Sequence, residues 1–129
     1  MAIRIVRLGT ARRRGEGLRI GTVRRPPRGV RKADFAAKNI YDVWFPNLSP
    51  SEPLLKEYFP IMDDGSWRSF ARKFRAEMKS PASKHDLALL SALSHQTDFS
   101  IGCYCESESR CHRSILRELL EKSGALIKD

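Results

Sequence analysis

Residues 99–124 read FSIGCYCESESRCHRSILRELLEKSG, and their pattern predicts a strand, a polar loop and a helix in succession. An apolar run of about six residues at its start, set between two helical patterns, predicts a buried strand of the parallel kind over residues 99–104. A polar loop follows, and Ser109 or Cys111 is expected to cap the next helix. That helix presents one apolar side to the core and ends at Gly124; the apolar side consists of Ile115, Leu116, Leu119 and Leu120.

All three cysteines of the chain lie in this stretch, as Cys103, Cys105 and Cys111. Cys111 is predicted at the N-terminus of the last helix, beyond the C-terminal end of the strand. The positive end of the helix and Arg113 both favour a thiolate there, and the free backbone N–H groups favour an anion. We therefore predict Cys111 as a nucleophile or redox thiol, His112 as a proton carrier and Arg113 as an anion ligand.

Two other interpretations of the cysteines stay open. Cys103, Cys105, Cys111 and His112 together form a possible metal-ligand set, although C-x-C on a strand and an adjacent Cys-His pair differ from the usual C-x₂₋₄-C spacing of zinc sites. Alternatively, free cysteines behave as small buried hydrophobes, which is the interpretation we favour for Cys103 and leave undecided for Cys105.

The positive charge of the chain is confined to its N-terminal quarter. The net charge is +9, and residues 1–32 hold ten arginines and one lysine against a single acid, Glu16. Such a block suits phosphate groups, because neutralising them releases counterions. It is equally typical of a solvated basic loop. The basic block therefore makes nucleic-acid binding, with structural cysteines, the alternative function.

Two strands are predicted in the basic region, over residues 3–8 and 18–23, and they are positioned to form a hairpin. The segment RRPPRG follows at residues 24–29. Its two prolines exclude a helix or a central strand, so it is a rigid loop leaving the end of a strand, where open α/β sheets bind ligands. We predict that Arg24 and Arg28 bind an anion there.

Helices account for most of the chain between these two regions. A short helix is expected over residues 33–39, and a strand or packing segment over 40–45. A second helix is expected to begin with Ser49 as its cap and to end at Pro60. A third carries an apolar stripe typical of a core-facing helix, namely Trp67, Phe70, Ala71, Phe74 and Met78. A fourth spans residues 83–96, with Leu87, Leu90 and Leu93 on its buried side.

Several segments resemble those of the domain-of-unknown-function 488 family (DUF488). IGCYCESESRCHRSILRELLE resembles its C-terminal CHR signature, RRPPRGVRKADF its basic WPRG-type loop, and VWFPNLSPSEPLLKEYF and SWRSF its tryptophan-containing segments. The resemblance covers about residues 18–125. It implies a small, Rossmann-like, three-layer α/β domain with a site where the basic loop meets the CHR helix. Val23 stands where family members often have an Asp, and the family's biochemical activity is not established.

Composition sets the remaining expectations. At 129 residues, 41% of them hydrophobic, we expect one α/β domain over residues 1–129, with a basic strand and loop at 1–17 and the family-like region at 18–125. The sheet is expected to be mostly parallel and flanked by helices. An odd number of cysteines and no long apolar run favour a cytoplasmic protein with reduced thiols and no membrane partner. The expected ligand is a small anion or nucleotide. No pattern identifies a cofactor or an oligomeric state.

Overall fold

The computed structural model describes residues 1–59 and 63–129, and its sheet is parallel throughout. The four strands lie in the order β1-β4-β2-β3. They are β1 (Ile3–Arg7), β2 (Leu18–Gly21), β3 (Val43–Trp44) and β4 (Phe99–Cys103). The described residues also form the helices α1 (Glu52–Tyr58), α2 (Asp64–Glu77), α3 (Pro81–Leu93) and α4 (His112–Lys122). The expected small α/β fold, with a parallel sheet and helices packed against it, is confirmed.

Strand β4 lies at the centre of the sheet, and every one of its residues is buried. Ile101 pairs with Ile5 of β1 on one side and with Ile20 of β2 on the other. The hairpin expected from β1 and β2 is therefore wrong. A fully buried apolar strand needs hydrogen-bond partners along both edges, and β1 and β2 supply one edge each. Parallel pairing also gathers the carboxyl ends of β1, β2 and β4 at one edge of the sheet.

The helices pack on one face of the sheet. The core of this face joins strand residues such as Ile3 and Ile101 to Phe70 and Phe74 of α2. Leu116 and Leu120 of α4 belong to the same core and have no exposed surface. The prediction that the aromatic stripe of α2 is core is thus confirmed, and α2 and α4 are held together at the sheet.

Loops cover the other face. The ring of Tyr41 lies directly over Gly21, and the side chain of Leu8 lies over Gly102. Near the start of β2, Arg19 is fully buried and donates to Glu16, with Nε 2.8 Å from Oε2. The helix expected over residues 33–39 is replaced by a 3₁₀ helix at Lys32–Asp34 and turns. Asn39 in these turns adopts a left-handed backbone conformation, φ +55°, which a continuous helix does not allow.

Three helix boundaries differ from the sequence expectation. Helix α1 is capped by Ser51, whose hydroxyl accepts from the Leu54 N–H, whereas the hydroxyl of Ser49 donates to the carbonyl of Pro46. Helix α3 begins at Pro81 with Ser80 as its cap and ends at Leu93, which is 39% exposed rather than buried. Pro60, expected to end α1, lies outside the described residues. Among the described helices, none is long and apolar enough to cross a membrane.

Candidate functional site

A cavity of about 540 Å³ opens at the carboxyl edge of the sheet. Its walls are the arginine loop (residues 24–28), one side of α1, the segment that leaves β4, and the start of α4. Short parallel strands bring these parts of the chain to the same edge. The lining of the cavity includes Arg24, Arg28, Cys103, Cys105 and His112.

The three thiols form one cluster at the inner end of this site. The Sγ atoms of Cys103 and Cys105 are 3.8 Å apart, because alternate residues of an extended chain project to the same side. Cys105 is half-buried, whereas Cys103 and Cys111 are buried. Cys111 occupies the N-cap position of α4, but its sulfur makes no capping bond; it lies 3.7 Å from Nδ1 of His112. Cys105 is therefore the thiol most open to the cavity.

His112 is fixed by two contacts outside its own helix. Its Nε2 lies 2.6 Å from the carbonyl oxygen of Thr22, and its ring packs edge-on against Phe74 with centroids 5.6 Å apart. A carbonyl oxygen only accepts hydrogen bonds, so Nε2 carries the hydrogen and a neutral ring leaves Nδ1 as an acceptor. The free lone pair of Nδ1 therefore lies beside the sulfur of Cys111.

The pKa values of the three thiols are shifted in different directions. Hydrogen bonds from Cys103 and Cys111, together with the positive charge of Arg113, lower the pKa of the Cys105 thiol to about 3. The same bonds to Cys105 and Cys111, followed by burial, raise the pKa of Cys103 above its ordinary value. A hydrogen bond from Cys103 also lowers the pKa of Cys111. Within the cluster, the thiolate form is thus most favoured at Cys105, next to the cavity and Arg113.

The arginines fall into two groups. Arg24 donates from Nε to the Pro50 carbonyl at 3.0 Å and from Nη2 to the Ser49 carbonyl at 3.2 Å, which ties the loop to the chain ahead of α1. Arg28 is exposed and has no hydrogen-bond or ion-pair partner within residues 1–59 and 63–129. Arg113 is 3% exposed and donates to the Cys105 carbonyl at 2.7 Å.

The structure therefore divides the residues selected from the sequence. Arg24, Arg28 and His112 line one cavity, together with Cys103 and Cys105. Cys111 and Arg113 lie behind that wall, where they contact His112 and the Cys105 carbonyl. Sequence reasoning missed Thr22, whose backbone carbonyl holds His112. Its position at the end of a predicted strand is a signal for the site, but its side-chain type is not.

Comparison with known proteins identifies a family for this chain. A family model described as DUF488-N3a, Active DUF488-N3 subclade, matches residues 3–124. No curated protein and no solved structure matches the chain. The match begins in β1 and extends to the residue that ends α4, so it includes both the arginine loop and the cysteine cluster.

Proposed function

The chain belongs to the DUF488 family. We propose that its cavity binds a small anionic ligand of the nucleotide type. The observation that carries the proposal is that Arg28, with its guanidinium unpaired among the described residues, lines the same cavity as the thiol cluster. An exposed guanidinium offers two parallel N–H donors, which suit a phosphate or carboxylate.

The rest of the cavity supports a ligand with an apolar, flat body. Pro27, Leu55, Phe59 and Tyr104 contribute to its walls, and its volume lies within the range of roughly 300–1,000 Å³ that is common for small-molecule sites. A nucleobase stacks on aromatic and proline surfaces, whereas inorganic phosphate uses none of this apolar wall. Cationic and apolar surface within one cavity favour a nucleoside monophosphate over a bare anion.

Arg24 and Arg28 have different parts in this proposal. Arg24 uses Nε and Nη2 to hold the loop against Pro50 and Ser49, which leaves Nη1 for a ligand. Arg28 has all its donors available and is the main anion ligand. Arg113 acts as a positioning residue, since its bond to the Cys105 carbonyl sets where that thiol lies.

The thiol that meets the ligand is Cys105 in this proposal. Cys111 is 1% exposed and stands behind His112, so a ligand in the cavity reaches Cys105 first. Cys111 lies behind the cavity wall, where its sulfur contacts His112. The word "Active" in the description of the matching family agrees with a reactive group in this cavity. Free thiols also support the proposal that the protein works in a reducing compartment such as the cytoplasm.

Nucleic-acid binding through the basic N-terminal region receives less support. Four of its ten arginines, Arg12, Arg19, Arg25 and Arg31, are engaged in ion pairs with carboxylates. The guanidinium of Arg19 is also fully buried. Because these four arginines are already paired with carboxylates, they contribute less to the free energy of binding phosphate through counterion release.

The test is calorimetric titration with four nucleoside 5′-monophosphates and with the matching uncharged nucleosides. We expect at least one monophosphate to bind, and its nucleoside to bind about tenfold or more weakly, because a charge-assisted pair contributes roughly 1.5–3 kcal/mol. Arg28→Ala should remove that preference while leaving nucleoside binding unchanged. Arg14→Ala, an exposed arginine outside the cavity, is the matched control. Absence of binding by all four monophosphates at millimolar concentration, or equal binding by Arg28→Ala, overturns the proposal.

A further inference from the structure

Three donor atoms of the cysteine cluster converge on one point. The Sγ atoms of Cys103 and Cys111 and a ring nitrogen of His112 all lie within 4.8 Å of one another. The Cys111 sulfur is 3.7 Å from Nδ1 of His112, and the Cys105 sulfur is 3.8 Å from that of Cys103. Cys103 ends β4, and Cys111 and His112 stand at the start of α4, so two rigid elements hold these three side chains. Cys105 lies in the loop two residues after β4.

Two of these separations, Cys103–Cys105 at 3.8 Å and Cys111–His112 at 3.7 Å, match edges of a tetrahedral metal site. With Zn–S bonds of about 2.3 Å and Zn–N bonds of about 2.0–2.1 Å, tetrahedral geometry places two sulfurs about 3.8 Å apart and a sulfur and a nitrogen about 3.6 Å apart. The C-x-C spacing that argued against a metal is compatible with this geometry, because an extended strand brings both sulfurs to one side. The adjacent Cys-His pair is compatible as well, because Cys111 is the extended N-cap residue and His112 the first residue of the helix.

The orientation of His112 is a second, independent observation. Histidines that bind metals usually donate their other ring N–H to a carbonyl or carboxylate, which fixes the tautomer and the ring. Nε2 of His112 makes such a bond, 2.6 Å to the carbonyl of the fully buried Thr22. Nδ1 is thereby left with a free lone pair that can bind a metal ion, and it lies beside the Cys111 sulfur.

Charge and burial complete the argument. Cys103, Cys111 and His112 are 6%, 1% and 6% exposed, so an ion among them is shielded from water. Arg113, also buried, has no carboxylate partner among the described residues, and its Nε has no hydrogen-bond partner there. A divalent ion with three thiolates and a neutral imidazole carries one net negative charge. Arg113 supplies the compensating positive charge.

We propose that Cys103, Cys111 and His112 bind a thiophilic divalent metal ion, with Zn²⁺ the best fit, and that Cys105 is the fourth ligand on the cavity side. Zn²⁺ suits a tetrahedral set of sulfur and nitrogen ligands, whereas Mg²⁺ and Ca²⁺ require oxygen. Binding displaces the protons that the thiols still carry, and these protons leave to solvent. The site needs no nucleotide, so it stands or fails separately from the ligand proposed for the cavity.

The experiment uses the full chain, purified without a histidine tag under reducing conditions and with no nucleotide added. Zinc is supplied, the unbound ion is removed by dialysis, and metal per chain is measured by elemental analysis and native mass spectrometry. We expect one Zn²⁺ per chain. Co²⁺ in place of Zn²⁺ should give the intense visible bands of a tetrahedral site and a thiolate-to-metal charge-transfer band.

Variants assign the ligands. Cys111→Ser and His112→Asn should each weaken zinc binding at least tenfold, whereas His85→Asn, an exposed histidine of α3, should bind as the wild type does. The Co²⁺ spectrum of the wild-type protein decides the question even where a variant fails to fold. A wild-type chain that retains no Zn²⁺, or a Co²⁺ spectrum without thiolate bands, overturns the proposal. Nucleotide titration of the metal-free protein then tests the cavity by itself.

Discussion

Nε2 of His112 lies 2.6 Å from the carbonyl oxygen of Thr22, so the first residue of α4 is bonded directly to the chain that leaves β2. Thr22 is in turn joined to β4, because its N–H and its hydroxyl both donate to the Gly102 carbonyl. One histidine thus joins the last helix, the central strand and the strand that leads into the arginine loop. His112 therefore belongs to the candidate site and also to the contacts that hold the fold together.

Replacing His112 by Ala should destabilise the fold by about 1–3 kcal/mol, since the Thr22 carbonyl is then buried without that partner. The edge contact with Phe74 is lost as well. Chemical denaturation of the metal-free protein measures the change. His85→Ala, at an exposed position, should stay within about 0.5 kcal/mol of the wild type. Equal denaturation midpoints for the two variants would contradict the role given to His112.

The buried pair of Glu16 and Arg19 should make stability depend on pH. Burial acts to raise the pKa of Glu16, but hydrogen bonds from Arg19 and Ser100 outweigh it and the pKa is lowered from 4.5. The stabilisation is therefore fully present above pH 4.5 and is lost as the pH falls through the lowered pKa of the folded state. At neutral pH, Glu16→Gln should cost about 3–5 kcal/mol by leaving Arg19 buried without its carboxylate.

The measurement is the free energy of unfolding of wild type and Glu16→Gln between neutral pH and the acid range. The difference between the two proteins should shrink below pH 4.5, as Glu16 takes up its proton in the wild type. Arg12→Ala, which removes a more exposed ion pair with Asp42, should cost no more than about 1 kcal/mol. A difference between wild type and Glu16→Gln that stays constant with pH would show that the carboxylate charge has no part.

Gly102→Ala should destabilise the central strand. A Cβ at this position meets the Val6 carbonyl oxygen at 2.9 Å and the Leu8 side chain at 2.7 Å, and the carbonyl belongs to a neighbouring strand that has no freedom to move. The expected loss is about 1–3 kcal/mol, typical of overpacking. Gly65→Ala is the control, since its Cβ meets only Asp63 Oδ1 at 3.6 Å and α2 should gain about 0.4–1 kcal/mol. Thermal unfolding of both variants checks the sign of each change.

Cys105 should react with iodoacetamide before Cys103 and Cys111 in the metal-free protein. The reason is exposure: Cys105 is half-buried at the cavity wall, whereas the other two thiols are buried. Peptide mass spectrometry after brief labelling gives the order. One equivalent of Zn²⁺ should slow the labelling of all three thiols, because each is a metal ligand in our proposal. First labelling at Cys111 would contradict the placement of the cysteines.

Elements whose signals are local can be predicted from the amino-acid sequence alone. The apolar run at residues 99–104 specified the buried parallel strand β4, and 3.6-residue periodicity specified α2 with its aromatic core face. Gly124, with φ +91°, ends α4 as its position predicts. These features depend on backbone preference and burial pattern within a few residues. The family motifs are local in the same sense.

Contacts between distant segments determine the strand order and which residues of the site line the cavity. The alternating pattern of β1 and β2 is compatible with a hairpin or with β4 between them, and the second arrangement is found because β4 needs partners on both edges. Ser49 and Ser51 both fit the cap of α1, and the bond of Ser49 to Pro46 leaves the role to Ser51.

The exposure of Cys105, the burial of Cys111 and Arg113, and the bond between Thr22 and His112 likewise join residues that only folding brings together. These contacts cannot be predicted from local sequence, because the free energy that selects them comes from packing between distant segments.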